Sequence, residues 1–342
     1  MKQAKPIVVL GVIFFFVVLL IPTLLVVPFT EKTDGKLKLH ENVKQTPKTE
    51  KLQKVTASPL DVSVYRTETK KVEKLPLEDY LVGVVAAEMP ATFELEALKA
   101  QSLAARTYIV QTMMNGNNHL PQGADVTDTV EYQVYLNKDE LRSRWNKDYD
   151  WKIKKIQEAV KDTQGQILTY KNKPINATFF STSNGYTENS EAYWKNSIPY
   201  LKSVASPWDK KSPEFTNQKV MSVASFEQRL GVKLTNSGSV GEIVSRTPGQ
   251  RVDYVKINGK ELSGKDVREK LGLSSADFHW TKKGNEIIIN TKGYGHGIGM
   301  SQYGANGMAL EGKTYKDIVT HYYTGVAITP NDQFVAQLTA KR

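Results

Sequence analysis

Leu77-Glu-Asp-Tyr80-Leu-Val-Gly-Val-Val-Ala-Ala-Glu88-Met-Pro90 is an apolar run that ends on a carboxylate. Leu77, Leu81, Val84, Val85 and Glu88 fall at i, i+4, i+7, i+8 and i+11, one face of a helix. Pro76 suits the opening of that helix, and Glu78 and Asp79 suit its first turn. Met89-Pro90 stops it. A carboxylate on an apolar stripe is costly to desolvate. Burial raises its pKa and makes it a proton donor near neutral pH. The alternative reading is a helix-end Glu88 that faces water.

Downstream, a second helix is expected from about Glu94 to Met114, ending in the turn Asn115-Gly-Asn-Asn. Ala97, Gln101, Ala104, Ala105 and Tyr108 share one face, and the small residues admit close approach by another element. Arg106, five positions from Gln101, points elsewhere. Trp151 to Thr163 reads as a helix and Gln166 to Tyr170 as a strand. Upstream, Leu60 to Arg66 alternates like a strand. From Val220 to Ile289 short helices (Ser225 to Leu230, Lys265 to Leu271) mix with strands around Tyr254 and Glu286, and Asn258-Gly259 marks a turn. Thr314 to Tyr323 closes as a helix. The sum is α+β: a single mixed helix/sheet domain over 58–330, with an inserted lobe at about 215–285 and a tail at 331–342.

Pro6 to Thr30 carries no charge, and Ile7 to Val27 is almost wholly aliphatic or Phe. That length suits a bilayer span of about 20 residues. No small-residue cleavage site follows, so an uncleaved transmembrane anchor is expected over 6–29. Lys2 and Lys5 place the stub 1–5 in the cytoplasm. The Lys-rich stretch 30–57, with Asp34-Gly35 and Pro47, reads as a flexible spacer. The domain beyond it is then extracytoplasmic. The chain of 342 residues has no cysteine, which excludes disulfides, a thiolate nucleophile and Cys-ligated metals. Its net charge of +10 suits an anionic partner such as wall polymer, lipid headgroup or nucleic acid, or equally a generally basic, soluble surface. The extracytoplasmic placement argues against nucleic acid.

Two further clusters carry chemistry. Thr178-Phe-Phe-Ser-Thr-Ser-Asn-Gly-Tyr-Thr-Glu188, followed by Tyr193-Trp194, alternates hydroxyls, an amide, a carboxylate and aromatics. That mixture suits carbohydrate, or an exposed polar turn. Gly293-Tyr-Gly-His-Gly-Ile-Gly-Met-Ser-Gln-Tyr-Gly-Ala305 has alternating glycines, which permit positive φ and close backbone approach. Its His296 is a candidate hydrogen-bond donor or proton carrier, or a structural His in a turn. No Lys-Ser/Thr follows, so a phosphate loop is excluded. His279, His296 and His321 form no ligand pair of known spacing, so neither metal nor cofactor is expected. No Gly-x-Ser-x-Gly elbow is present.

These clusters, with Glu96-Ala-Leu-Lys-Ala-Gln-Ser-Leu-Ala-Ala-Arg-Thr-Tyr108 and His321-Tyr-Tyr-Thr-Gly325, resemble the stage II sporulation protein D family of Bacillus-type endospore formers. The resemblance covers about residues 58–330. It implies a peptidoglycan lytic transglycosylase that leaves 1,6-anhydro-muramoyl ends, with the family's catalytic acid at Glu88. It also implies glycan strands stripped of stem peptides as substrate. The implied setting is the sporulation septum and engulfing mother-cell membrane. The implied partners are an amidase, stage II sporulation protein P, and a membrane protein, stage II sporulation protein M. Some relatives enhance an amidase, so a glycan-binding scaffold is the alternative. Candidate sugar contacts are Gln101, Arg106, Ser181, Ser183, Glu188, Tyr200, His296, Ser301, Gln302 and Tyr303. Glu188 is also a candidate second carboxylate for ordinary hydrolysis.

Overall fold

The computed structural model describes residues 60–116, 119–194, 196–235 and 238–340. The expected anchor at 6–29 and spacer at 30–57 lie outside these residues. Among the described residues, no helix is long and apolar enough to cross a membrane.

Strand β1 (Asp61–Arg66) alternates as expected and buries Val62 and Val64. It pairs antiparallel with β2 (Lys71–Pro76). Pro76, extended at φ −54° and ψ 143°, leads directly into α1 (Leu77–Glu88). The next helix, α2 (Leu95–Asn115), is the centre of the main core. Ala97, Ala100, Ala104 and Ala105 are fully buried on it, so neighbouring helices approach closely. Strand β3 (Val126–Thr127) runs parallel to β1. Helix α3 (Lys138–Trp145) starts at an Asn137/Glu140 capping box. Helix α4 (Tyr149–Asp162) buries Ile153, Ile156, Ala159 and Val160. Then come β4 (Gln166–Tyr170), β5 (Lys173–Pro174), β6 (Phe179–Phe180) and the one-turn α5 (Glu191–Trp194).

Strands β7 (Thr216–Ser222), β8 (Glu242–Arg246), β9 (Val252–Ile257), β10 (Lys260–Ser263), β11 (Phe278–Lys283) and β12 (Glu286–Lys292) form two three-stranded antiparallel sheets. With α6 (Val223–Leu230) and α7 (Gly264–Leu271) they enclose a second, smaller core around Phe226, Val255, Val267, Leu271 and Ile289. Asn258 and Gly259 both take positive φ in the β9–β10 turn, as a two-residue hairpin demands.

The chain then returns to the main core. Strand β13 (Met300–Ser301) pairs parallel with β6, and α8 (Gln302–Leu310) follows at once. Helix α9 (Tyr315–Tyr322) is capped by Thr314, and β14 (Ala327–Pro330) pairs with β4. Residues 331–342 were expected as a tail, and this is corrected: Asp332–Ala340 is a helix, α10. Phe334, Val335 and Leu338, spaced i, i+1, i+4, are buried in the main core.

Candidate active site

A groove of about 740 Å³ opens beside the C-terminal end of α1. Glu88 and Pro90 line it from α1, and Glu131 to Val134 from the loop before α3. Thr178 to Ser181 and Trp194 line it from the second cluster, and Tyr294 to His296, Gln302 and Tyr303 from the glycine-rich one. Glu214 and Arg268 complete it. Segments far apart in sequence thus meet around one carboxylate.

Glu88 is the last residue of α1 and is half-buried in the groove wall. Its Oε1 accepts a hydrogen bond from the Val134 N–H at 2.8 Å. Desolvation by burial pushes its pKa above the usual carboxyl value, and the Val134 bond opposes this only in part. The negative end of the α1 dipole acts in the same direction as burial. Gln302 Nε2 donates to the Glu88 backbone carbonyl at 3.1 Å, tying α8 to the end of α1. Gln101 stands behind Gln302, fully buried, with its Oε1 3.5 Å from Gln302 Nε2. It supports the wall and does not line the groove.

The glycine-rich segment is built against the second cluster by main-chain pairing. Thr182 and Tyr294 exchange N–H···O bonds of 3.0 and 2.7 Å, and the Glu188 N–H donates to the Gly297 carbonyl at 2.7 Å. Gly297 has φ +88°, and a Cβ on it would stand 2.3 Å from Arg251 Cζ. The crowding, added to a left-handed backbone that costs an L-residue about 1–2 kcal/mol, predicts that Gly297→Ala destabilises the protein by at least about 2 kcal/mol. Chemical denaturation checks this; an unchanged midpoint contradicts it.

His296 lies among Phe180, Tyr193 and Trp194, with ring centroids 5.7–6.1 Å away. Its Nδ1 accepts from the Ile298 N–H at 3.0 Å, which assigns the neutral tautomer with the proton on Nε2. Burial pushes its pKa down to about 4, with Arg268 and Arg251 adding to the effect. Of the readings above this disfavours the proton carrier: the ring is neutral, and its Nε2–H is taken up by the Phe179 carbonyl. Imidazole NMR should show no titration of His296 between about pH 5 and 8, since its charged form belongs below that window. A midpoint near the ordinary value would contradict the geometry.

Several expected sugar contacts serve the scaffold instead. Ser183 and Ser301 are buried, and both donate through Oγ to Asp209, at 2.8 and 2.5 Å. Asp209 also accepts from the Ser183 N–H and from Ser206 Oγ, which contacts the Tyr322 hydroxyl. This buried carboxylate ties four segments together beneath the groove; burial raises its pKa against those donors. Glu188 is 2% exposed. It accepts from the Asn189 and Gly249 N–H groups and the Thr247 hydroxyl, with Arg251 3.9 Å away. It does not line the groove of Glu88, and these partners tie it into the scaffold, which argues against the candidate role of second carboxylate. Arg106 is buried against Glu78, far from any solvent. Tyr200 packs on Tyr170 and accepts from the Asn176 N–H through its hydroxyl at 3.0 Å. Ser181, His296, Gln302 and Tyr303 do reach the groove.

Sequence reasoning passed over Glu131 to Val134, Glu214, Arg268 and Asp209. Glu131 to Val134, Glu214 and Asp209 sit in no periodic or glycine-marked stretch, and Arg268, in the expected helix Lys265 to Leu271, reads there as one of several solvated charges.

The family profile described as stage II sporulation protein matches residues 65–170, which contain Glu88. The chain is 54% identical over 329 residues to stage II sporulation protein D of Bacillus subtilis (strain 168), covering 95% of this chain and 96% of that protein. It is 52% identical over 345 residues to stage II sporulation protein D of Bacillus amyloliquefaciens, covering 99% and 100%. A more distant relative is the amidase enhancer of Bacillus subtilis (strain 168), 32% identical over 73% of this chain and 40% of that protein. On near-full-length identity of this order, the chain belongs to the stage II sporulation protein D family of sporulation proteins.

Proposed function

We propose that the chain is a peptidoglycan lytic transglycosylase that cleaves the β-1,4 bond from N-acetylmuramic acid to N-acetylglucosamine. The observation that carries this reading is Glu88: a half-buried carboxyl of raised pKa, held by a main-chain N–H in the wall of a polymer-sized groove. One acid is enough. Glu88 protonates the oxygen leaving the muramoyl C1, and the C1–O bond breaks. The muramoyl 6-hydroxyl bonds to C1 and gives its proton to the Glu88 carboxylate. The result is a 1,6-anhydro ring, no water is consumed, and Glu88 is again protonated. Trp194 and Tyr303 offer ring faces for the sugars, and Ser181 and Gln302 offer polar groups.

The same reading places the chain in the membrane through 6–29, at the sporulation septum, acting on peptide-stripped strands beside the amidase and the membrane protein named above. A second reading, a scaffold that stimulates the amidase without cutting, is favoured by the likeness to an amidase enhancer. Digestion in oxygen-18 water separates the outcomes: label-free anhydro ends support the transglycosylase, labelled reducing ends indicate a hydrolase, and uncut strands indicate the scaffold.

A further inference from the structure

Arg268 enters the groove from the smaller core unit, on α7, while the other cations near it are otherwise engaged. Arg251 is buried beside Glu188, and Lys265 lies over the Tyr193 ring at 4.1 Å. Arg268 is half-buried, and its Nε donates to the Ser274 carbonyl at 3.4 Å. Among the described residues no carboxylate stands within 4.0 Å of its nitrogens, although Glu214 lines the same groove. Its guanidinium also hydrogen-bonds the Tyr193 hydroxyl. A guanidinium has five N–H donors, and these two bonds to neutral groups leave the others for a ligand. Its field reaches the groove interior, since it helps hold His296 neutral.

A half-buried arginine without a carboxylate partner, lining a groove, is matched by a planar anion that bonds it in bidentate fashion. A glycan of alternating N-acetylglucosamine and N-acetylmuramic acid has a single anionic group to offer: the lactyl carboxylate of the muramoyl residue. That carboxylate is free only where the stem peptide is absent; with the peptide in place it is a neutral amide. On the proposed function as its premise, we infer that Arg268 binds the free lactyl carboxylate of a muramoyl residue in the groove. Arg268 is thus the specificity-determining residue by which this chain prefers peptide-free strands.

The test measures binding, so that cleavage does not confound it. The full chain carrying Glu88→Gln, purified in detergent, is titrated by calorimetry with two probes. One is a peptide-free tetrasaccharide of the alternating glycan; the other is the same tetrasaccharide with each lactyl carboxylate capped as a methylamide. The free acid is expected to bind about 10–100-fold tighter, the range of a charge-assisted hydrogen bond. Adding Arg268→Gln, with folding checked by circular dichroism, is expected to erase that difference while leaving the capped probe unchanged. A difference that survives Arg268→Gln overturns the inference and leaves the transglycosylase reading standing, as does equal binding of the two probes. A folded protein that binds neither probe overturns the proposed function itself and this inference with it. Should Arg268→Gln fail to fold, Arg268→Lys carries the test: a reduced preference supports the inference, and an unchanged one overturns it.

Discussion

Glu88→Gln is expected to lower glycan cleavage by at least about 10³-fold while strand binding and folding persist, because in the proposed mechanism one residue serves as both acid and base. The amide has nearly the shape of the carboxyl but cannot pass a proton. Its Oε1 can still accept from the Val134 N–H, so the groove wall keeps its form. Stability should move the other way. The folded pKa of Glu88 is raised, so the folded state holds that proton more tightly than the unfolded chain does. Its contribution is greatest below the unfolded pKa and is lost as pH rises through the folded value. At neutral pH the substitution therefore leaves Tm unchanged or raises it. Wild-type cleavage should fall as pH rises through that same raised pKa, because the proposed mechanism starts from the acid form. Wild-type cleavage by a folded Glu88→Gln protein would contradict the role of this residue.

The largest effect on stability is expected at Arg106 and Glu78. Arg106 Nη2 stands 2.7 Å from Glu78 Oε2, and Nε donates to Oε1 at 3.0 Å. The guanidinium also donates to the Thr163 carbonyl at 2.8 Å and the Val160 carbonyl at 3.0 Å. It thereby fastens α1, α2 and the end of α4 together with no water to replace any partner. Removing either charge leaves the other buried and unpaired, at a cost of about 3–5 kcal/mol. Arg106→Met and Glu78→Leu should each lower the denaturation midpoint by that amount, and the double variant by less than the sum. Additive losses would mean that the two side chains act independently. Any loss of cleavage in these variants should track the unfolded fraction, since neither residue lines the groove.

The local part of the architecture was legible. The apolar run from Leu77 announced α1, the Ala-rich face announced a tightly packed α2, and the alternating glycines announced a segment of positive φ and close backbone approach. Each signal lies within one element and depends only on period or backbone freedom. What was not legible depends on contacts across the fold. Glu78 reads as a first-turn acid suited to the α1 dipole, yet its partner is Arg106, 28 positions on. Val134 holds Glu88 from 46 positions away, in a loop with no periodic pattern. Asp209 sits in a short turn at Pro207–Lys211, and only the folded chain shows that Ser183 and Ser301 converge on it. Polar residues of one cluster therefore looked alike in sequence, while burial divided them into groove wall and foundation.

The groove that results frames one carboxyl group, and the central proposal is that this group cuts glycan without water. The direct measurement is mass spectrometry of peptide-free strands after incubation with the full chain in detergent, alongside Glu88→Gln. Anhydro-ended fragments, one water lighter than hydrolysis products and absent with Glu88→Gln, are the predicted result. Reducing-end fragments, or anhydro fragments that persist with Glu88→Gln, would contradict it.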